Sequence, residues 1–308
     1  MNRLDTDAPL PREYRGGIIA LGNFDGFHLG HQAVVGRALE QARAQGRPAL
    51  VATFDPHPGR YFRPERQPFQ LTTLDQRLRL MSTAGVDGVL VLHFDAALAA
   101  VTPESFVQDW LSARFDASGV VTGDDFTFGR QRSGTVASLA MLGTRYGIRA
   151  QTVAPVSDAQ GVISSTRIRA ALESGAPEAA AAMLTRPYTI EGFVSHGDKR
   201  GREIGFPTAN IDMGAYQRPA YGIYAVRCRL EDGRVVDGAA NLGVRPMFDP
   251  PKELLEVHLF DFSGDLYGQR LSVELRHYLR PEARFDGLDA LIRQMDADCV
   301  LARQLLAA

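Results

Sequence analysis

The chain has 308 residues, enough for two domains of ordinary size. Its 45% hydrophobic and 23% charged residues are typical of a globular protein, and its formal net charge of -2 excludes a general attraction to nucleic acid or membranes. No apolar run reaches the length of a membrane span and no signal peptide is evident, so we expect a cytoplasmic protein. Cys228 and Cys299 form no CxxC pair, which argues against a structural zinc site or a disulfide framework.

The first half of the chain alternates short apolar segments with stretches of helical periodicity. This alternation predicts a parallel sheet flanked by helices, with ligands bound beyond the carboxyl ends of the strands. The predicted strands are 18–20, 49–53, 88–92, 119–122 and 149–153, and the predicted helices lie near 31–45, 72–84, 103–114 and 135–146. Two more short helices are predicted within 165–184, so we expect the first domain to span residues 1–185 and the second 186–308.

The first predicted strand ends in a glycine-rich turn, Gly22-Asn23-Phe24-Asp25-Gly26-Phe27-His28-Leu29-Gly30-His31. The turn leads into a predicted helix, whose free N–H groups and positive dipole end favour an anion. Gly30 lets a ligand approach the backbone closely, and the imidazoles of His28 and His31 can face the same anion. This arrangement suits the stabilisation of phosphate charge in nucleotidyl transfer. The alternative is a tight strand–helix turn with incidental histidines.

The H-x-G-H pattern resembles the nucleotidyltransferase superfamily. The full turn resembles the adenylyltransferase half of the bifunctional bacterial riboflavin kinase/FAD synthetase family, and Ile163-Ser164-Ser165-Thr166-Arg167-Ile168-Arg169 is similar to that family's I-S-S-T-x-I-R motif. Capping of a helix is the simpler interpretation of Ser165 alone. The resemblance implies that the turn and this motif bind ATP through Gly22, Asn23, Phe24, Gly30, Ser164, Ser165 and Thr166. It also implies catalytic roles for His28, His31 and Arg169.

Two segments of the first domain are similar to flavin-binding loops of the same family. Thr53-Phe54-Asp55-Pro56-His57-Pro58 resembles T-F-x-P-H-P, and Gly123-Asp124-Asp125-Phe126-Thr127-Phe128-Gly129 resembles G-x-D-F-x-F-G. Aromatic faces can pack on an isoalloxazine ring. The resemblance therefore implies flavin contacts at His57, Asp125, Phe126 and Phe128. An exposed loop with two anchoring phenylalanines is the alternative for the second segment.

The second half of the chain has a different pattern of apolar segments. Apolar segments at 188–194, 222–230, 235–242, 253–260 and 271–279 are separated by polar turns, which predicts an antiparallel sheet or small barrel. A helix follows, with an apolar stripe that we expect to pack on the barrel: Leu288, Leu291, Ile292, Met295, Cys299, Ala302 and Leu305.

The segment before the second of these strands contains glycine, basic and oxygen-bearing residues. Its glycines and basic residues suit a loop over phosphates, and the oxygens of Thr208 and Asn210 suit a hard cation such as Mg²⁺. A solvated turn is the usual explanation of such a pattern. Gly201-Arg202-Glu203-Ile204-Gly205-Phe206-Pro207-Thr208-Ala209-Asn210, however, resembles the G-x-x-x-G-F-P-T-A-N signature of riboflavin kinases. The resemblance implies ATP contacts at Gly201, Arg202 and Gly205, metal binding at Thr208 and Asn210, and a catalytic role for Asn210.

Two later segments match the kinase half, with departures. Asn241-Leu242-Gly243-Val244-Arg245-Pro246-Met247-Phe248 is similar to N-x-G-x-R-P-T-F, but Met247 replaces the usual Thr, and Thr185 replaces the Gly of L-G-R-P. Leu279-Arg280-Pro281-Glu282-Ala283-Arg284-Phe285 resembles R-x-E-x-x-F, which implies flavin binding by Arg280 and proton removal from the riboflavin 5′-hydroxyl by Glu282. The alternative for Glu282 is a surface ion pair with Arg280 and Arg284.

The sequence therefore predicts a Rossmann-like α/β nucleotidyltransferase domain followed by a small antiparallel β-barrel kinase domain with a terminal helix. The resemblance implies an enzyme that uses ATP and Mg²⁺ to convert riboflavin to FMN and FMN to FAD, without nucleic-acid or membrane partners. Three alternatives stay open: a single-activity enzyme whose kinase half is weakened at Met247, a nucleotidyltransferase for another cofactor precursor, and a flavin sensor without catalysis. The oligomeric state is not predicted.

Overall fold

The computed structural model describes residues 2–4, 6, 8–65, 67–196, 205–245 and 252–308. The chain divides into two compact units. The first unit comprises Met1–Gln67 and Thr72–Ser164, and the second comprises Pro68–Leu71 and Ser165–Ala308. The domain boundary after residue 185 stays a prediction.

A six-stranded parallel sheet forms the first unit. The strands of this unit are β1 (Asn2–Leu4), β2 (Ile18–Leu21), β3 (Ala49–Asp55), β4 (Gly88–His93), β5 (Gly119–Gly123), β6 (Thr127–Phe128), β7 (Gly134–Thr135), β8 (Arg149–Val153), β9 (Ser157–Asp158) and β10 (Gly161–Val162). The sheet has the order β1-β4-β3-β2-β5-β8, while β6 pairs with β7 and β9 with β10. All neighbours in the sheet run parallel, which confirms the predicted α/β architecture.

Helices cover both faces of this sheet. They are α1 (Leu29–Ala44), α2 (Pro58–Phe62), α3 (Leu74–Thr83), α4 (Ala96–Ala100), α5 (Pro103–Ser105), a π-helix (Phe106–Arg114) and α6 (Val136–Arg145). Alternate residues of β2 enter two separate cores: Ile18 packs on one side and Ile19 on the other. A sheet buried on both faces explains why its strands are continuously apolar in the sequence. The prediction missed β1, a three-residue edge strand, and gave no sign of the π-helix.

An antiparallel six-stranded sheet forms the second unit. Its elements are α7 (Ser165–Glu173), α8 (Pro177–Leu184), β11 (Tyr188–Phe193), β12 (Ala209–Asp212), β13 (Gly222–Arg229), β14 (Val235–Arg245), β15 (Lys252–Leu259), β16 (Arg270–Arg280) and α9 (Leu288–Ala307). The strand order is β11-β16-β13-β14-β15-β12. A bridge between Ser195 and Asn210 links the two ends of this order, with Ser195 N–H donating to the Asn210 carbonyl at 2.9 Å. The sheet is therefore a nearly closed barrel, as predicted, with β12 as a strand that the prediction did not include.

The barrel interior is filled by alternate residues of its strands, such as Tyr224, Val226 and Leu255, which are all inaccessible to solvent. Helix α9 packs on the outside, where Ala302 joins a cluster with Ala225, Ala239 and Phe260. The helix is confirmed, but its predicted stripe is shorter than expected: Leu288, at the first turn, is 54% exposed. Among the described residues, no helix combines the length and apolar character that crossing a membrane would need.

Candidate active sites

Two histidines meet at the start of α1, as the sequence predicts. His28 caps the helix: its Nδ1 accepts a hydrogen bond from Gly30 N–H at 3.2 Å, which leaves the proton of the neutral ring on Nε2. The rings of His28 and His31 stack, with centroids 3.7 Å apart. A Cβ on Gly30 would lie 3.1 Å from His28 Cε1, so this glycine makes room for the ring. The turn thus combines helix N–H groups with two imidazoles, a suitable set of donors for phosphate oxygens.

The turn before α1 has an unusual backbone. Phe24 and Phe27 have left-handed φ values of 52° and 44°, a region that bulky residues rarely adopt. Both rings are buried, and Asp25 fastens the turn between them. Its Oδ1 accepts hydrogen bonds from the Thr72 N–H at 3.0 Å and from the Thr72 hydroxyl at 3.2 Å, while Gly26 N–H donates to Thr72 Oγ1 at 3.0 Å. Strained backbone held by its surroundings is typical of functional turns.

Arg77 of α3 is a residue that the sequence analysis missed. Its side chain is buried, and its Nη1 donates to the carbonyl oxygen of Asn23 at 2.9 Å, to Thr53 Oγ1 at 3.2 Å and to the carbonyl oxygen of Phe54 at 3.4 Å. Its Nη2 lies 3.7 Å from Asp55 Oδ1. Arg77 therefore contacts the turn that follows β2 and the last residues of β3. An arginine at an ordinary helical position gave no sequence signal of this role.

The loop after β3 carries His57 and an aromatic cluster. His57 caps α2, because its Nδ1 accepts a hydrogen bond from Gly59 N–H at 2.9 Å. Tyr61, Phe62 and Phe94 meet edge to face, with ring centroids 5.2 to 5.7 Å apart. Phe62 is 62% exposed, so this cluster offers an apolar surface beside His57 that the motif alone did not reveal.

The predicted flavin loop after β5 separates into exposed and buried parts. Asp125 is exposed and Phe126 is half-buried, whereas Phe128 lies in the core of the first unit. The rings of Phe126 and Phe128 stack nearly parallel, with centroids 5.9 Å apart. A Cβ on Gly134 would come within 2.7 Å of the Phe128 ring, so Gly134 allows this packing. Phe128 thus supports the loop from within.

The I-S-S-T-x-I-R motif spans the division between the units. Ser164 is the last residue of the first unit, while Ser165 and Thr166 form the first turn of α7 in the second. Arg169 lies one turn further along α7. Its Nε donates to the Phe69 carbonyl at 2.7 Å, and its guanidinium lies 5.3 Å from the Phe69 ring centre. The roles of these residues toward ATP stay predictions.

In the barrel, strand register gathers polar side chains into one row. Asn210 lies on β12, and Thr208 directly precedes this strand, two positions before Asn210. Asn210 is directly opposite Glu256 of β15, and Glu256 is directly opposite Asn241 of β14. Side chains of directly paired residues lie on the same face, with Cβ atoms about 4.5–5.5 Å apart. Glu256 therefore faces the same space as Asn210, which the linear motifs did not predict.

The end of β16 and the residues after it form a second group near this row. Arg280, the last residue of β16, makes a two-pronged ion pair with Asp298 of α9, with its Nη2 2.6 Å from Oδ2. The carboxylate of Glu282 lies against Gly243: a Cβ there would be 2.2 Å from Oε1. Gly243 thus provides the space that Glu282 occupies.

A tyrosine beside this group has altered acidity. Tyr221 donates a hydrogen bond to Glu253, whose carboxylate also accepts from Arg218 Nε at 2.8 Å. Burial, the bond to Glu253 and the negative charge of Glu253 together raise the pKa of Tyr221 to about 12. Tyr221 is therefore a neutral hydrogen-bond donor at ordinary pH.

The remaining predicted positions are glycines and loop residues. Gly22 directly follows β2, and a Cβ at this position would meet the Phe24 ring at 3.2 Å. Gly205 is exposed, with a left-handed φ of 88°. Gly201 and Arg202, with predicted ATP contacts, and Met247, the departure in the second kinase motif, lie outside the described residues.

The chain combines a parallel α/β sheet that has a histidine-bearing helix start with a barrel that has polar side chains in one row. This combination suits a transferase of phosphate-containing groups. The family model described as FAD synthetase matches residues 10–167, and that described as Riboflavin kinase matches residues 184–306. The chain belongs to the bifunctional riboflavin kinase/FMN adenylyltransferase family. It is an enzyme of FAD biosynthesis with both activities, and it uses ATP.

Individual relatives support this assignment along the whole chain. The bifunctional riboflavin kinase/FMN adenylyltransferase of Escherichia coli strain K12 is 38% identical over 289 residues, covering 94% of this chain and 92% of that protein. The Haemophilus influenzae protein of the same name is 39% identical over 293 residues, covering 95% of each. A crystal structure described as a macrolide-efflux protein from Streptococcus pneumoniae superposes with a TM-score of 0.87 at 30% identity, covering 98% of this chain and 99% of that one.

Proposed function

We propose that the turn at the start of α1 is the centre of FMN adenylylation. The observation that carries this proposal is the stacked pair His28 and His31 on a helix N-terminus at the carboxyl end of β2. A phosphate oxygen of FMN attacks the α-phosphorus of ATP, a new P–O bond forms, and pyrophosphate leaves. The FMN phosphate is already an anion, so this step needs no side-chain nucleophile. His28 Nε2–H and the helix N–H groups supply donors for the negative charge that develops on phosphate oxygens.

The flavin of this reaction is proposed to bind on the neighbouring loops after β3 and β5. The exposed ring of Phe62 next to His57 and the half-buried ring of Phe126 support this placement, because flat aromatic faces pack well on an isoalloxazine. Asp125 is exposed and accepts hydrogen bonds, which suits the polar edge of the ring.

The barrel is proposed to carry the kinase reaction. Thr208, just before β12, and Asn210, on β12, supply a hydroxyl and a carboxamide oxygen, a donor set that fits Mg²⁺ bound together with ATP phosphates. Within the described residues, no group of three or more His, Cys, Asp and Glu side chains is arranged to hold a metal. The phosphates of ATP would therefore complete the coordination, and the cation would neutralise their charge. Because both reactions consume ATP, a cytoplasmic location belongs to this proposal.

Two carboxylates are candidates for the group that accepts the proton of the riboflavin 5′-hydroxyl. The motif match favours Glu282, whereas the strand register favours Glu256, which is directly opposite Asn210. A base must lie within hydrogen-bond reach of the reacting hydroxyl, and that hydroxyl must lie next to the ATP phosphates. We therefore propose Glu256 as the base, and we place Glu282, which lies over Gly243, beside the substrate.

Two matched substitutions test this choice. Glu256→Gln should lower kcat for riboflavin phosphorylation by about 10²-fold, because the base is lost while the side-chain shape is kept. Glu282→Gln should change KM for riboflavin more than kcat. Glu274→Gln, which removes a carboxylate that pairs with Arg276 on β16, is the control for loss of charge on the barrel. A large loss of kcat in Glu282→Gln with near-normal kcat in Glu256→Gln would return the base to Glu282.

The assignment of one reaction to each unit is tested by separating the flavin products at successive times. The enzyme with riboflavin, ATP and Mg²⁺ should form FMN first and FAD later, and a reaction started from FMN should form FAD directly. FAD from FMN with nothing from riboflavin would point to a weakened kinase half and to Met247. Bound flavin without any product would contradict both proposed centres.

A further inference from the structure

Arg77 is a buried cation whose side chain donates a hydrogen bond to the backbone of the proposed adenylylation turn. It lies on α3, more than fifty positions along the chain from Asn23, and its side chain is only 2% exposed. A buried charge is costly unless it is well hydrogen-bonded. Burial lowers the pKa of Arg77, and the charges of Asp25 and Asp55 oppose that effect, so the guanidinium remains a cation.

The side-chain hydrogen bonds of Arg77 end on the turn after β2 and on the last residues of β3. One nitrogen, Nη1, bonds the Asn23 carbonyl and the Thr53 hydroxyl, and Thr53 Oγ1 itself donates to the Asn23 carbonyl at 3.0 Å. Arg77 and Thr53 therefore form a closed triangle with the backbone of the turn. The same guanidinium reaches the Phe54 carbonyl and approaches Asp55.

The turn that Arg77 holds is the strained one. Phe24, with its left-handed φ of 52°, directly follows Asn23, whose carbonyl oxygen accepts two of these bonds. Left-handed backbone of bulky residues persists only where neighbouring contacts fix it. On the far side, Asp25 is fixed by Thr72, the residue before Thr73, which caps α3. The turn is thus held at both ends, by Thr72 just before the cap of α3 and by Arg77 on the helix itself.

We propose that Arg77 is a positioning residue for FMN adenylylation: it holds the turn after β2 against the last residues of β3, so that His28 and His57 keep their relative placement. The inference rests on the proposed function of the turn. Arg77 touches neither substrate in this scheme; it acts through the backbone of Asn23 and the hydroxyl of Thr53. The same residue has no part in the kinase reaction, since its contacts lie within the first unit.

The test replaces Arg77 by Met and by Lys in the full-length protein. Arg77→Met should lower kcat for FAD formation from FMN by about 10²-fold with little change in KM for ATP, because a displacement of about 1 Å of catalytic groups costs that much. Arg77→Lys should recover part of the loss, since an ammonium can still donate to the Asn23 carbonyl. Riboflavin phosphorylation by the same preparations should be unchanged.

Arg114→Met is the matched control in the same unit. Arg114 donates to the Thr6 carbonyl at 2.9 Å and lies over Trp110, so this variant loses a similar side chain elsewhere and should keep its adenylylation kcat. Equal loss in Arg77→Met and Arg114→Met, or no recovery in Arg77→Lys, would overturn the positioning role. His28→Ala is run alongside: a normal kcat in His28→Ala would contradict the proposed function of the turn, whereas loss there with normal Arg77→Met contradicts only the inference.

Discussion

The two units build their candidate sites by different means. In the parallel sheet, the residues sit on loops that follow strand ends, and distant side chains such as Arg77 and Thr72 hold those loops. In the barrel, Asn210 and Glu256 lie on the strands themselves, and cross-strand pairing alone places one next to the other. The first site therefore depends on hydrogen bonds to loop backbone, and the second on the register of the sheet. Substitutions should affect them in correspondingly different ways.

The largest effect is expected at the histidine pair of the loop-built site. His28→Ala and His31→Ala should each lower FAD formation from FMN by about 10²–10³-fold, because a donor to the developing phosphate charge is lost. Riboflavin phosphorylation, measured in the same samples, should stay normal. His28→Asn is the sharper variant, since asparagine still caps the helix and lacks the imidazole. Normal adenylylation in His28→Asn would reduce His28 to a helix cap.

A somewhat smaller effect is expected at the strand-built site. Asn210→Leu should lower riboflavin phosphorylation by roughly 10²-fold, because an oxygen that stabilises the cation and phosphate charge is removed. FAD formation from FMN should be unchanged. Asn210→Asp keeps a side-chain oxygen and the backbone bridge to Ser195, so it should retain more kinase activity than Asn210→Leu. If both variants lose activity equally, the oxygen of Asn210 is not the determining feature.

The sequence predicted the parts of each site that are contiguous in the chain. The turn from Gly22 to His31 and the segment Phe206 to Asn210 were recognisable because their spacing is local. Arg77 and Glu256 were missed for physical reasons that differ between the units. Arg77 acts through a loop fold that no pattern encodes, and Glu256 acts through a strand pairing that is decided only when the barrel forms.

The fold was predictable to a similar degree. Alternating apolar segments gave the parallel sheet and the barrel, because burial on one or both faces leaves a periodic signal. Short elements escaped, among them β1 and β12, since three or four residues carry too little periodicity. The exposed Leu288 shows the converse: an apolar residue at helical spacing need not be buried at the first turn of a helix.

Left-handed backbone of residues other than glycine occurs both in the proposed adenylylation turn, at Phe24, and away from it, at Thr185. The two positions can therefore be compared. Thr185, which replaces the usual glycine, has a left-handed φ of 62° at the end of α8. Left-handed backbone costs a β-branched residue about 1–2 kcal/mol. Thr185→Gly should therefore be more stable than Thr185→Ala by about 1 kcal/mol in urea unfolding, because only glycine relieves the strain. Both activities should stay normal, unlike the result expected when the strained turn of the first unit is disturbed.

The smallest expected effect concerns the pH dependence of the barrel. Because the pKa of Tyr221 is raised to about 12 in the folded chain, its neutral form stabilises the fold below about pH 10, and this contribution is lost as pH rises toward 12. The difference in urea midpoint between the wild type and Tyr221→Phe should therefore shrink between pH 10 and 12. If the difference in urea midpoint stayed constant from pH 10 to 12, the pKa of Tyr221 would not be raised by folding, and this prediction would be wrong.

The backbone bridge between Ser195 and Asn210 connects the proposed nucleotide site to the closure of the barrel. In the proposed kinase site, the side-chain oxygen of Asn210 binds the cation, while its backbone carbonyl accepts the Ser195 N–H where the barrel closes. A ligand that binds only the closed barrel stabilises the closed state. The gain in free energy depends on the ratio of the ligand concentration to its dissociation constant. Saturation with ATP should therefore slow hydrogen exchange of the Ser195 amide more than that of amides in the middle of β13. Nucleotide binding and closure of the barrel are thus expected to be thermodynamically coupled.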